Sequence, residues 1–408
     1  MVRPERRTRG DLIAAAAITA VVAVVIAMFW WHSSARATTF RPAATPAPDL
    51  KAPQAVPGAL QQRWTAPSSK TLAPVIAGGT VVTGDGREMT GRNPETGEQR
   101  WLYARDRDLC GVSYVYDLAV AVYPDVRGCG QVSSVKSGTG QRGPTRTSYA
   151  DKQVVVSSDG SAVLSYGPTR LELWRSDLVR MLSYGELDAR VKPVHIAVGE
   201  GCTLMSASAS DTAVAVLEAC PDERDLRLNL LKPAKEEDEP ESKTVKLPGL
   251  APDSDARVLA VKGTTAAVYL PIPRPEVAVY DETGTKVSET PLRIPPSWPG
   301  AAPAVTRAGD YITWWTGSAV MVFDDKLVYR YTIDATAQRT PLGPATMMAG
   351  RLLVPVQGGL AVYDPAGGAF ERLIAVEHPP GAGAVVPAVA GPMGIEQRGQ
   401  EIAGYGPA

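Results

Sequence analysis

Asn93-Pro94-Glu95-Thr96-Gly97-Glu98-Gln99-Arg100-Trp101 decides the fold. Asn-Pro opens a tight turn, Gly ends it, and a strand carrying Trp follows. The last three residues occur again as Gln62-Arg63-Trp64, where a Pro/Ala-rich stretch precedes them in place of a turn and strand. That copy has its partner strands elsewhere in the chain. The turn phrase is an apolar residue, then Asp or Asn, then Gly three or four residues later. It returns as Val279-Tyr280-Asp281-Glu282-Thr283-Gly284 and Val362-Tyr363-Asp364-Pro365-Ala366-Gly367. A repeat with one half-unit stranded at its start describes a ring closed by its own ends, a β-propeller.

Aligning the phrase places its polar position at Asn93, Lys136, Arg175, Lys232, Asp281, Asp324 and Asp364, about 45 residues apart on average. Strand pairs with a Gly-containing turn lie upstream, as in Ala73 to Val82 and Ala345 to Val354. These make seven units. The C-terminal Gln400-Glu401-Ile402-Ala403-Gly404-Tyr405-Gly406 supplies the inner strands of an eighth, and Leu60 to Trp64 supplies its outermost strand. The expected fold is all-β, an eight-bladed propeller over residues 60–408 at about 44 residues per blade, with Trp64 meeting Ile402 at the closure. A seven-bladed ring with a packed-on tail is the alternative. Closure pairs the last open sheet edges and holds both ends against fraying.

Asn93 to Trp101 resembles the Asp-x-x-Thr-Gly-x-x-x-Trp blade motif of the quinoprotein-like (pyrroloquinoline-quinone-type) propeller family, and Asp281 to Gly284 and Asp364 to Gly367 match it without the closing Trp. The resemblance implies that Trp64 and Trp101 dock between adjacent blades. The quinone-dependent members of that family use vicinal cysteines and a calcium cluster. This chain has no adjacent cysteines and no clustered carboxylates at blade starts, so neither quinone nor metal is expected. The layout of anchor, Pro/Ala spacer and propeller also resembles envelope proteins of mycobacteria and their relatives.

Composition narrows the partners. The chain has 408 residues, with 42 Lys plus Arg against 43 Asp plus Glu, so no basic field exists to hold nucleic acid. Aromatic residues are 6%, too few for an evident stacking surface. The four cysteines, Cys110, Cys129, Cys202 and Cys220, lie 19 and 18 residues apart in two pairs without a C-x-x-C, and only three His accompany them. A zinc site is therefore not expected. In an exported head they read as two local disulfides, Cys110–Cys129 and Cys202–Cys220, each worth roughly 3 kcal/mol in the chain-entropy model. The alternative is four reduced thiols.

Export is read from the N-terminus. Leu12 to Trp31 is twenty residues without a charge, enough for a helix to span the hydrocarbon core. Arg3, Arg6, Arg7 and Arg9 precede it, so residues 1–11 are expected in the cytoplasm and the rest outside. Ala35-Arg36-Ala37 fits a small-x-small cleavage site, but the apolar run exceeds a typical signal core, which favours an uncleaved anchor. Residues 32–59, with Pro42, Pro46, Pro48, Pro53 and Pro57, read as an extended spacer.

No catalytic constellation emerges. His195 falls in an apolar strand, His32 at the membrane edge and His378 beside Pro379 and Pro380. There is no G-x-S-x-G elbow or phosphate loop, Gly138-Thr139-Gly140 being a hairpin turn. Surface candidates for a partner are Glu237 and Asp238 in the acidic run 235–241, Trp315 beside Trp314, and Trp298 in the loop Ser297-Trp298-Pro299-Gly300. The expectation is a non-catalytic, membrane-tethered scaffold that binds an envelope or membrane protein. The alternative is a ligand receptor or enzyme using the central channel.

Overall fold

The computed structural model describes residues 8–31, 33, 36–187, 197–297, 302–378 and 383–408. These form eight antiparallel sheets, seven of four strands and one of five. Numbered along the chain, blades 1 to 7 span 75–104, 111–147, 155–185, 203–246, 257–291, 305–333 and 346–375. Blade 8 joins strands from 385–407 to Leu60–Pro67. Within blades 1 to 7 the strands run outward in chain order from a first, inner strand to a fourth, outer strand, and in blade 8 the outer strand is Leu60–Pro67. The ring has eight blades, and the seven-bladed alternative is set aside.

The phrase that announced the repeat sits where a physical reason places it. All seven polar positions lie at the turn between third and fourth strands. There Asn93 Oδ1 accepts the Glu95 N–H, and the carboxylates of Asp281 and Asp324 accept the Thr283 and Lys326 N–H groups. A short polar side chain satisfying its own turn backbone is what Asx turns require.

The hydrophobic core is divided among the blade junctions. Buried clusters occupy each of the eight, from Val75, Trp101 and Tyr123 between blades 1 and 2 to Trp64, Val81 and Ile395 between blades 8 and 1. A blade buries its faces only against its neighbours, so an open ring would expose the clusters at its ends. Closure prevents this. Leu60–Pro67 pairs antiparallel with Glu401–Pro407, with Trp64 opposite Gly404 and Ala66 opposite Ile402. Trp64 and Ile402 then share one cluster.

The two repeated Trp residues act alike. Trp64 crosses its strand partner Gly404, where an added Cβ would lie 2.3 Å from the indole nitrogen, and donates to Pro94 O of the blade 1 turn at 2.8 Å. Trp101 crosses Gly91 and donates to Ser137 O of the blade 2 turn at 2.6 Å. Tyr331 does the same without a Trp signature, its hydroxyl 2.7 Å from Pro365 O of the blade 7 turn. All three residues follow a β-bulge directly, which aims the side chain at the next blade.

Residues 39–59 are not a free spacer. Thr39–Arg41 pairs with the outer strand of blade 1 as its fifth strand. Ala43 and Ala47 donate to the blade 2 turn at Thr139 O and Gly138 O. Leu50 then packs into the junction of blades 8 and 1, and Val56 into that of blades 7 and 8. The fourth strands fix this strap from outside: Arg100 reaches Thr45 O and Pro46 O, and Arg372 reaches Val56 O and Pro57 O at 2.8 and 3.0 Å. Arg372 occupies the same post-bulge register as Trp64, Trp101 and Tyr331. Blade 8 has no third-to-fourth turn because the chain ends lie there, and the strap carbonyls take its place. The accepting carbonyls are those of Thr45-Pro46 and Val56-Pro57, each followed or carried by a proline that brings no N–H of its own.

Arg9–Trp31 forms a helix long and apolar enough to cross a membrane, with no side chain buried in the protein. It begins three residues before the expected Leu12 because Thr8 and Asp11 form a reciprocal cap. Both expected disulfides form, Cys110–Cys129 within blade 2 and Cys202–Cys220 within blade 4.

Replacing Trp64 with Ala removes the indole from the closing junction and its bond to blade 1. We expect a loss of about 3–5 kcal/mol of unfolding free energy, read in urea titration of the full chain. A midpoint equal to that of the wild type would show that the junction does not limit stability.

Candidate functional site

Polar chemistry inside the ring gathers around three buried glutamates, each linked to a neighbouring element. In blade 3, Glu172 lies on the third strand and meets three guanidinium groups: Arg170 at 2.6 Å, Arg180 at 3.1 Å and, from the outer strand of blade 2, Arg146 at 3.1 Å. Trp174 Nε1 donates to the same carboxylate at 2.8 Å, and Arg146 covers that indole. Burial pushes the Glu172 carboxyl up, but Arg170, Arg146 and Arg180 outweigh it and hold the group below the usual carboxylate range.

In blade 4, Glu218 receives Tyr184 from blade 3 at 2.9 Å, Arg227 at 2.5 Å and Asn229 at 2.6 Å. Burial and then the Glu218 charge push the Tyr184 hydroxyl well above its ordinary value, so it stays a donor. In blade 8, Glu396 accepts Nε and Nη2 of Arg398 at 2.9 and 2.7 Å and faces His378 Nε2 at 3.1 Å. His378 Nδ1 is 2.9 Å from Val356 O, so the ring bridges blades 7 and 8. Arg398 also donates to the Tyr405 hydroxyl, which donates to Gln62 of the closing strand. The donors around all three carboxylates come from the fold itself. These clusters bind blade to blade, and none presents an open nucleophile or base.

Cys202, Glu218 and Cys220 bring potential ligand atoms within 4.8 Å of one another, but the two sulfurs are bonded to each other and offer no thiolate. Among the described residues, the groove between blades 4 and 5 has a volume of about 120 Å³, and a recess beside Arg170 and Trp174 has about 10 Å³. Both fall below the ~300 Å³ at which sites for drug-sized molecules begin.

The sequence-picked partner residues fare differently. Trp315 is buried and donates to Pro341 O at 3.0 Å, and Trp314 is buried against Tyr269, so neither is an exposed anchor. The acidic run does form the long third-to-fourth turn of blade 4, but it folds back on blade 3. There Glu237 pairs with Arg180 and its carbonyl accepts the Ser183 N–H, with Asp238 half-buried beside it. Glu237 and Asp238 are therefore not a free surface for a partner: an outer strand with open N–H groups and a surplus of arginines draws the turn in. Trp298, His195 and His32 lie outside the described residues. Single-residue reading passed over Glu172, Glu218 and Glu396. Their one local signal is a charge inside an otherwise apolar strand, as in Arg170-Leu171-Glu172-Leu173-Trp174.

No protein-family model and no curated protein matches the chain. Solved structures similar to it include BamB from Moraxella catarrhalis, at 13% identity over 85% of this chain and 97% of that one, TM-score 0.47. Apo AztD from Citrobacter koseri is similar at 11% identity over 75% and 86%, TM-score 0.46. The Pan2 WD40 domain from Neurospora crassa is similar at 13% identity over 74% and 89%, TM-score 0.42.

Because the folded-state Glu172 carboxyl is held low, its stabilisation is fully present above the ordinary glutamate value of about 4.3 and is lost as pH falls through the lower folded value. Glu172→Gln leaves Arg146 and Arg170 without a carboxylate, Arg180 keeping Glu237, and should cost about 3–5 kcal/mol near pH 7. Urea midpoints at pH 7 and pH 3 check both points. The wild type should lose more stability than the variant on acidification, and equal losses would remove Glu172 from the account.

Proposed function

We propose that this chain is a membrane-tethered scaffold whose propeller stands outside the cytoplasm and binds another envelope protein. The observation that carries the reading is the division of polar groups. Charged groups inside the ring pair with one another, while the outer strands Glu241–Lys246 and Lys286–Pro291 expose nearly every residue along open sheet edges. Such edges pair with added strands. The chain does this to itself at blade 1, where Thr39–Arg41 is the added strand.

The tether supports the same reading. Seven residues separate Trp31 from Thr39, and fully extended they reach at most about 25 Å. The head would therefore stay beside the bilayer, within reach of membrane partners. Arg3, Arg6, Arg7 and Arg9 before the helix, and disulfides after it, favour an extracytoplasmic head. Cleavage after Ala37 would release the ring with its strap complete.

The test is site-specific photocrosslinking of the full chain in its native cells, with probes along the outer strands of blades 4 to 6. We expect a discrete adduct with one envelope protein, identified by mass spectrometry and also co-purified without crosslinking. Probes that yield no adduct at any of these strands would reject the scaffold.

A further inference from the structure

The strap shows how this propeller holds an extended chain. Ala43, Leu50 and Val56 each enter a blade junction on one face of the ring, at junctions 1/2, 8/1 and 7/8. They are six or seven residues apart, roughly 20 Å of extended chain per step. At junction 7/8 the arrangement has two parts. An aliphatic side chain enters between the blades, and Arg372 on the outer strand takes the main-chain carbonyls on either side of the Val56–Pro57 bond.

Junction 4/5 has an apolar recess and a cationic residue in register with Arg372, and no strap; the blade 5 turn Asp281 to Thr285 is present there, where at junction 7/8 the strap stands in for an absent turn. Its groove of about 120 Å³, room for one aliphatic side chain, is walled by Val214, Leu230 and Val261. It opens on the same face, between the turn ends of both blades. Lys243 lies on its rim at the position of Arg372. Lys232 and Asp364 are the same repeat position, so Leu230 matches Val362, and their cross-strand partners are Lys243 and Arg372. The Lys243 stem runs over Gly284 of the next blade's turn, and the side chain is exposed.

We propose that this groove binds an extended, proline-containing segment of a partner polypeptide, placing one Val or Leu side chain between blades 4 and 5 and its carbonyls on Lys243. The strap itself cannot be the occupant within the molecule, because it runs without a break from Thr39 into the closing strand at Leu60. The inference rests on the scaffold reading and specifies one of its surfaces.

The experiment uses the full chain in nanodiscs and a fluorescein-labelled peptide, Asp-Leu-Lys-Ala-Pro-Gln-Ala-Val-Pro-Gly, copied from residues 49–58. Fluorescence anisotropy should show saturable binding. Ser242→Trp, which blocks the groove mouth, and Lys243→Glu should each weaken it about tenfold or more. Ser288→Trp, on the outer strand of the next blade, should leave it unchanged. All three positions are exposed, and thermal melts equal to that of the wild type confirm that each variant is folded. Undetectable binding, or binding insensitive to Ser242→Trp, overturns the proposal. A dimer in sedimentation that Ser242→Trp disperses would place a second copy in the groove and also overturn it. Photocrosslinks from other outer strands but none from Ser242 would reject the groove while leaving the scaffold, whereas no photocrosslink at any strand would reject both.

Discussion

The pairing of Leu60–Pro67 with Glu401–Pro407 is the constraint on which the rest depends. Each blade is a thin sheet with two faces to bury, and only a neighbour can bury them. Seven junctions form in chain order, but the eighth joins residues more than three hundred positions apart. Its cluster of Trp64, Val81, Met393 and Ile402 exists only when both termini are in place. Long-range closure of this kind carries a large loop entropy, which the buried cluster and the ladder must offset. The fold accordingly concentrates additional contacts there. Arg63 donates to Pro407 O, Gln397 reaches Ser68 and Thr71, and the Glu396 cluster extends through Tyr405 to Gln62.

The strap belongs to the same solution. It leaves the outer edge of blade 1, passes the turns of blades 1 and 8, and returns at blade 7 as the acceptor for Arg372. It crosses the closing junction on one face of the ring. It also covers the outer edge of blade 1, while the outer edges of blades 4 and 5 stay exposed along nearly their whole length. The functional proposal rests on those exposed edges, and the groove at junction 4/5 lies beside one of them.

Buried charge is the second theme. A carboxylate inside a propeller costs desolvation energy and is tolerated where its donors are fixed. Glu172 and Glu218 achieve this across blade boundaries, with Arg146 and Tyr184 supplied by the preceding blade. The effect is directional, since a blade that slips loses a charge partner as well as apolar contact. Such clusters specify register between blades, a property that uniform aliphatic packing provides poorly.

Blade number, closure and the disulfide pairing were legible from the residues, because each is written in local spacing: a turn phrase, a repeated tripeptide, two cysteine intervals; the docking of Trp64 and Trp101 was implied only by a family resemblance. Tyr331 and Arg372 were not legible, since their shared role depends on following a bulge and not on residue type. The strap was not legible because its hydrogen bonds come from distant strands and turns and from side chains 54 to 316 residues away, while its own composition is that of a linker. Glu237 looked free because nothing local reveals that blade 3 would offer Arg180 and an open N–H beside it. The sequence by itself therefore determined the repeating unit and its closure, which arise from short-range turn chemistry and periodic burial. Only the tertiary structure decided which surfaces remain open, because that depends on which distant groups the closed ring brings together.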